Sequence, residues 1–181
     1  GPPCQGFSYA GKRALEDERN ALMLDFLRLV KETRPMCALI ENVNVLLSAY
    51  NGQFINDICE RFSALGYASI ADVLIASDFG VPQLRKRAFI LAYRSDMGTP
   101  PRFPIRTHER VPFASDLIEA SEKIRLEPAK LPYISVEEAI GDLPLISSGE
   151  GDEMMFYTST PESSLQKWAR EGSIAVFNHR A

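Results

Sequence analysis

Apolar residues recur along the first half of this chain with two alternating periods. From residue 20 to residue 33 the sequence reads NALMLDFLRLVKET, and Leu22, Phe26, Leu29 and Val30 fall at i, i+4, i+7 and i+8. That spacing predicts a helix with those four on its buried face, stopped by Pro35. Met36 to Ile40 is a short apolar run that reads as a buried parallel strand. Residues 52–65 predict a second helix, with Phe54, Ile55, Ile58, Cys59, Phe62 and Leu65 on one face and Gly66 as its C-terminal cap. Tyr67 to Ile75 and Arg87 to Tyr93 are strand-like, rich in β-branched and aromatic residues. Loop, helix, strand, helix, strand, strand is the order of an α/β sheet.

The pattern changes after residue 95. Residues 96–112 hold four prolines and little periodicity, which predicts an extended connection. Residues 113–127 read as a short surface helix. Ser135-Val136-Glu137-Glu138 is a capping box opening a helix to about Asp142, closed by Pro144. Residues 145–160 read as a Gly- and Ser-rich loop. Thr160-Pro161 then starts a helix that carries Trp168 as its apolar anchor and ends near Gly172. The expected division is residues 1–95 as part of a sheet domain and residues 96–181 as a connector.

Composition narrows the classes. A chain of 181 residues, 45% hydrophobic and 24% charged, is long enough for one core. No apolar run approaches the ~20 residues that span a bilayer, and no basic-then-apolar leader opens the chain. Three cysteines without paired spacing point to reduced thiols and a cytosolic-type compartment. His108 and His179 lie far apart, with no metal-ligand spacing to the cysteines. The net charge of −4 gives no support to a protein whose main work is gripping a nucleic-acid backbone. Any such partner has to be argued from particular residues.

Three groups of residues carry candidate chemistry. Cys4 lies in Gly1-Pro2-Pro3-Cys4-Gln5-Gly6, where prolines fix φ and Gly6 permits a tight turn, so the thiol is held and presented. A lone cysteine is also often a small buried hydrophobe. Glu41-Asn42-Val43 follows the apolar strand, and ligands in an open parallel sheet bind beyond the carboxyl ends of strands. A solvated loop acid is its plain alternative. If Cys4 follows the neighbouring strand, the two loops leave the sheet only ~5 Å apart, and a thiol beside a proton donor is a working pair for attack on an electron-poor ring. In Gln83-Leu84-Arg85-Lys86-Arg87, strand alternation would set Gln83, Arg85 and Arg87 on one face, suited to carbonyl or phosphate oxygens. A solvated basic strand end is the alternative there. Cys37 and Cys59 sit on apolar faces and read as core, and both histidines read as structural.

Taken in order, Pro-Cys-Gln, Glu-Asn-Val and Gln-x-Arg-x-Arg resemble the motifs of the DNA cytosine-5 methyltransferases. Asp17 to Leu22, Ala76 to Gln83, Arg102-Phe103-Pro104 with Thr107-His108, SVEEAIGDLP at 135–144 and Asn178-His179 extend the resemblance along nearly the whole chain. The resemblance implies a partial Rossmann-like class I S-adenosylmethionine-dependent methyltransferase sheet, truncated at both ends. It implies methyl transfer from S-adenosylmethionine to carbon 5 of a flipped-out cytosine in double-stranded DNA. Cys4 would be the nucleophile, Glu41 would hold ring nitrogen 3 and the amino group, Arg87 the base carbonyl oxygen, and Arg85 that oxygen or a phosphate. Gln5, Ser8, Asn42 and Gln83 would serve substrate binding, with Ser8 at a phosphate and Asn42 orienting the Glu41 loop. Pro3 and Leu22 match positions that line the donor pocket.

The glycine-rich donor loop of that family and the acid before its cysteine loop have no match here, and the recognition region is absent too. The expectation is a middle piece that does not turn over by itself, with no metal and no membrane. Its companion would be a restriction endonuclease system, and its setting a bacterial-type cytoplasm or wherever DNA resides. Three rivals stand beside this. A tRNA cytosine-5 methyltransferase shares the motifs, although Gly6-Phe7-Ser8 looks more like the DNA enzymes. A catalytically dead nucleic-acid-binding relative would not need Cys4, Glu41 and Arg87 intact. An unrelated thiol hydrolase wants a histidine near Cys4, and neither histidine is placed for it.

Overall fold

The computed structural model describes residues 21–111 and 131–180. Helix α1 spans Ala21–Thr33, strand β1 Cys37–Val43, helix α2 Gln53–Ala64, strand β2 Tyr67–Ile75 and strand β3 Lys86–Arg94. Later come helix α3 (Val136–Ile140), strand β4 (Gly151–Phe156), helix α4 (Ser164–Ala169) and strand β5 (Ala175–Arg180). The chain divides into two compact units. One takes the residues up to Ile75 together with Arg85–Arg106, and the other takes Ala76–Leu84 and the residues from Thr107 onward. The short link between β2 and β3 therefore belongs with the later part of the chain.

In the first unit the strands order as β1-β3-β2, both pairs antiparallel. Of the expectation of a buried parallel strand, β1 keeps burial on one face. Its described partner is antiparallel, and its burial alternates along the strand. Ala38, Ile40 and Asn42 point inward, while Cys37, Leu39 and Glu41 point outward. The inward face joins Ile90, Ala88 and Ala92 of β3 to α2 and α1 in one apolar cluster. Helix α2 contributes Phe54, Ile58 and Phe62, each at most 1% exposed, at i, i+4 and i+8. Full burial of each such side chain stabilises by roughly 1.5–3 kcal/mol. Gly66 follows α2 with φ +83°, the left-handed turn that lets its N–H donate to the Ser63 carbonyl at 2.9 Å. Phe62 meets Tyr67 edge to face at 6.1 Å, and the Tyr67 hydroxyl donates to the Pro35 carbonyl at 2.7 Å.

Helix α1 forms where the period placed it, with its buried stripe rotated: Val30 is buried and Phe26 packs against the core as expected. Met23, Leu27 and Val30 are buried, whereas Leu22 and Leu29 remain 48% and 49% exposed. The run is apolar at so many positions that two overlapping stripes fit a 3.6-residue period. Contact with the sheet selects one of them.

In the second unit α3 is opened by the expected capping box. The Glu138 N–H donates to Ser135 Oγ at 3.1 Å, and the Ser135 N–H donates to Glu138 Oε2 at 2.8 Å. Ser163 and Gln166 repeat the device ahead of α4. The two helices are tied by Asp142, 1% exposed, which accepts two hydrogen bonds from Arg170 at 2.9 and 3.1 Å. Residues 145–160 are not simply loop, since β4 lies within them and pairs antiparallel with β5, Met154 opposite Phe177. Trp168 does not anchor its helix, because it is 73% exposed and Gln166 is the residue buried there. Residues 113–127 lie outside the described residues. Among the described residues, no helix is long and apolar enough to cross a membrane.

Candidate active site

Glu41 lies inside β1 rather than in a loop after it, two residues before the strand ends at Val43. It faces outward, opposite Phe89, while Arg87 stands opposite Val43 one row further along β3. Those diagonal positions are on the same face, within reach of long side chains. Arg87 Nε donates to Glu41 Oε1 at 3.0 Å, and Arg87 Nη1 donates to the Lys86 carbonyl at 2.8 Å. The second bond uses one arm of the guanidinium to fix its plane. The pair is only partly shielded, with side-chain exposures of 26% for Arg87 and 45% for Glu41. An acid and a forked cation therefore meet at the open end of β1 and β3, accessible to a ligand.

The other arginine-motif residues are placed differently from the alternation argument. β3 begins at Lys86, so Arg85 precedes the strand and is exposed. Gln83 is exposed too, in a tight turn whose N–H donates to the Val81 carbonyl at 2.7 Å. Gln83 and Arg85 both precede β3, so the predicted single face of Gln83, Arg85 and Arg87 does not form as a strand face. Asn42 is 6% exposed and inward, on the side opposite Glu41, and its Oδ1 accepts from the Val43 N–H at 2.8 Å. That position suits orienting the strand end and does not suit touching a substrate. Leu22 is half-exposed on the first turn of α1. Pro3, Cys4, Gln5 and Ser8 lie outside the described residues.

Sequence reasoning missed one cluster beside the motif. Asp78, 1% exposed, receives Arg110 Nη2 at 3.0 Å, and its backbone carbonyl accepts the N–H groups of Thr107 and His108 at 3.1 Å. The His108 ring lies against Gly80, where φ is +82° and an added methyl would come within 2.5 Å of the ring. An acid between Ser77 and Phe79 just after a strand was the available signal. His179 Nε2 lies 2.8 Å from the Pro144 carbonyl, so both histidines do sit in structural contacts. The cysteines are less buried than expected, with Cys37 exposed on the outward sheet face and Cys59 half-buried on α2. Among the described residues no group of ligands is arranged for a metal ion.

The profile of C-5 cytosine-specific DNA methylases matches residues 1–158. The chain belongs to that family. The Type II methyltransferase M.DdeI of Desulfomicrobium norvegicum is 40% identical over 100% of this chain and 40% of its own length. M.AgeI of Thalassovita gelatinovora is 34% identical over 100% of this chain and 42% of its own. The chain thus spans about two fifths of the length of these curated relatives. A crystal structure assigned as a DNA modification methyltransferase from an E. coli prophage covers 92% of this chain and 41% of that chain, with a TM-score of 0.57 and 23% identity. That likeness supports the fold, a mixed α/β methyltransferase sheet of which this chain forms a part. Among the described residues of this methylase, Leu22 is the one expected to line the methyl-donor pocket. A half-exposed leucine can pack an aromatic ring, but it does not make a donor pocket by itself.

Proposed function

We propose that this chain is the base-handling part of a DNA (cytosine-5) methyltransferase that acts on double-stranded DNA. Family membership supports the reaction class, and the Glu41–Arg87 pair at 3.0 Å is the structural observation that carries the reading. In this reading residues 1–95 supply half of the catalytic domain and residues 96–181 lead toward a target-recognition region. The donor, S-adenosylmethionine, supplies an electrophilic methyl group, and its pocket lies mostly in parts of the enzyme other than the described residues.

Each residue then has a stated task on a flipped cytosine. The Cys4 thiolate bonds to carbon 6, pushing electron density toward carbon 5 and nitrogen 3. A free thiol titrates near ~8.5, so the site must favour the thiolate. Glu41 holds nitrogen 3 and the exocyclic amino group and keeps a proton where negative charge builds. Arg87 donates to the base carbonyl oxygen with the arm not committed to Lys86, and Arg85 reaches that oxygen or a phosphate. After carbon 5 gains its methyl group it loses its proton, and the electron pair re-forms the ring double bond and expels the Cys4 sulfur. Gln5, Ser8 and Gln83 support the extruded nucleotide, while Asn42 holds the strand end beneath Glu41. Pro3 and Leu22 touch the donor. The Type II naming of the relatives supports a companion restriction endonuclease, in a bacterial cytoplasm or wherever the DNA resides.

The test is a chimera in which this chain replaces the matching stretch of M.DdeI. With the donor and duplex DNA containing 5-fluorocytosine, the missing carbon-5 proton blocks release, so a covalent adduct should accumulate on Cys4. A Cys4→Ser chimera that still forms the adduct overturns the assignment of the nucleophile. An RNA substrate trapped faster than DNA overturns the choice of DNA.

A further inference from the structure

The later half of the link between β2 and β3 buries little apolar surface, since Val81, Gln83 and Leu84 are all exposed. Within the link the Gly80 N–H donates to the Ser77 carbonyl at 3.2 Å and the Val81 N–H to the Ala76 carbonyl at 3.3 Å. Both bonds are longer than the ~2.9–3.0 Å usual for such pairs. A segment packed this loosely opens locally at low cost unless something else holds it. The hold comes from much further along the chain, within the same compact unit. The Asp78 carbonyl accepts the N–H groups of Thr107 and His108, and Asp78 Oδ2 accepts from Arg110 Nη2 at 3.0 Å. The His108 ring closes against Gly80, with its Nδ1 2.9 Å from Thr107 Oγ1. This second segment is itself fixed, because the Glu109 N–H donates to the Leu131 carbonyl at 2.8 Å and His108 bridges to Leu131.

We infer that Thr107 to Arg110 form a clamp serving catalytic geometry, with His108 as a positioning residue for Gln83. The inference rests on the function proposed above, in which Gln83 supports the extruded nucleotide. The clamp grips the link at Asp78 and Gly80, and Gln83 follows three residues later in a turn closed by its own N–H on the Val81 carbonyl at 2.7 Å. Any shift of Gly80 is therefore handed to Gln83 through a short, closed piece of backbone. Gly80 also leaves no slack, since even a methyl group there would come within 2.5 Å of the His108 ring. The buried Asp78–Arg110 pair is sufficient as a strut for folding. The ring on Gly80 completes no apolar core, because His108 and Gly80 are both only half-buried. What it fixes is the path of the backbone toward an exposed amide. A displacement of about 1 Å in a substrate-positioning group can cost ~100-fold in rate.

A double-mutant cycle in the M.DdeI chimera tests this, read as adduct formation on an excess of saturating 5-fluorocytosine DNA. The trap consumes each enzyme once, so the final yield of adduct counts folded molecules while the rate reports geometry. His108→Ala should slow the reaction ~10- to 100-fold with the yield unchanged. His108→Phe keeps a ring on Gly80 and should return the rate to within roughly threefold of wild type. Gln83→Ala should be slowed to a similar degree as His108→Ala. The Gln83→Ala/His108→Ala pair should be at most about threefold slower than the slower single variant, since the clamp then has nothing left to position. Multiplication of the two effects in the pair overturns the inference. A lower yield at an unchanged rate also overturns it, as the mark of a residue that only helps the chain fold. An unaltered rate for His108→Ala, in a wild-type background that does trap, sinks the clamp and leaves the chemistry standing. A wild-type chimera that forms no adduct on Cys4 sinks the proposed function and the positioning role with it.

Discussion

Replacing Arg87 by alanine separates chemistry from folding, because the exposure of its ion pair makes the two effects unequal. Arg87 and Glu41 meet at 3.0 Å with side chains 26% and 45% exposed, so solvent screens the attraction heavily. A pair of that kind contributes about 0–1 kcal/mol to stability. Lost packing of the arginine stem adds a little, and the whole cost should stay below ~1.5 kcal/mol. The role in the reaction is larger. A fixed donor aimed at developing charge is worth ~100- to 1,000-fold in rate when removed, or about 2.7–4 kcal/mol. Urea denaturation of the chain gives the first quantity. Single-turnover adduct formation on 5-fluorocytosine DNA by the chimera gives the second. Arg87→Lys keeps the charge but loses the fork, and should fall between wild type and alanine in rate. An adduct rate within roughly threefold of wild type for Arg87→Ala would refute the reasoning. So would a stability loss of ~3 kcal/mol or more, which would make the residue a strut.

Three further outcomes follow from contacts in the second unit and its caps. Asp142→Ala strands Arg170, only 13% exposed, without its carboxylate and should cost about 3–5 kcal/mol by urea denaturation. The paired Asp142→Leu/Arg170→Met change should recover most of that loss. The Ser135 N–H holds the Glu138 carboxyl below its ordinary titration range, so the cap adds stability at higher pH and loses it as pH falls through that lowered value. Amide protection of α3 measured from about pH 6 to about pH 3 should drop accordingly, and a Glu138→Gln chain should lose that pH dependence. Gly80→Ala forces a side chain onto φ +82° and to within 2.5 Å of the His108 ring, a strain of about 1–3 kcal/mol. Thermal denaturation reads it, and adding His108→Ala should relieve the clash but not the backbone strain. An unchanged melting point for Gly80→Ala would show that the turn is not held by His108.

The family, the motif order and most element positions were legible in the residues themselves, because they depend on local spacing. A 3.6-residue period, a Ser-x-x-Glu box and a glycine after a helix act within a few residues of chain, so α2, α3 and the Gly66 turn came out where local rules put them. Tertiary structure decided what local spacing leaves open. It kept Val30 and Phe26 of the expected Leu22–Phe26–Leu29–Val30 face of α1 against the core and added Met23 and Leu27 in place of Leu22 and Leu29, since only contact with the sheet tells overlapping apolar stripes apart. It turned Asn42 inward and Glu41 outward from adjacent positions, because a strand shows successive side chains to opposite faces and register is set by the partner strand. It started β3 at Lys86, leaving Arg85 outside the strand and only Arg87 against the acid. It also paired β4 with β5 from segments whose own composition reads as loop, since a hairpin partner some twenty residues away is a long-range contact that no local pattern announces.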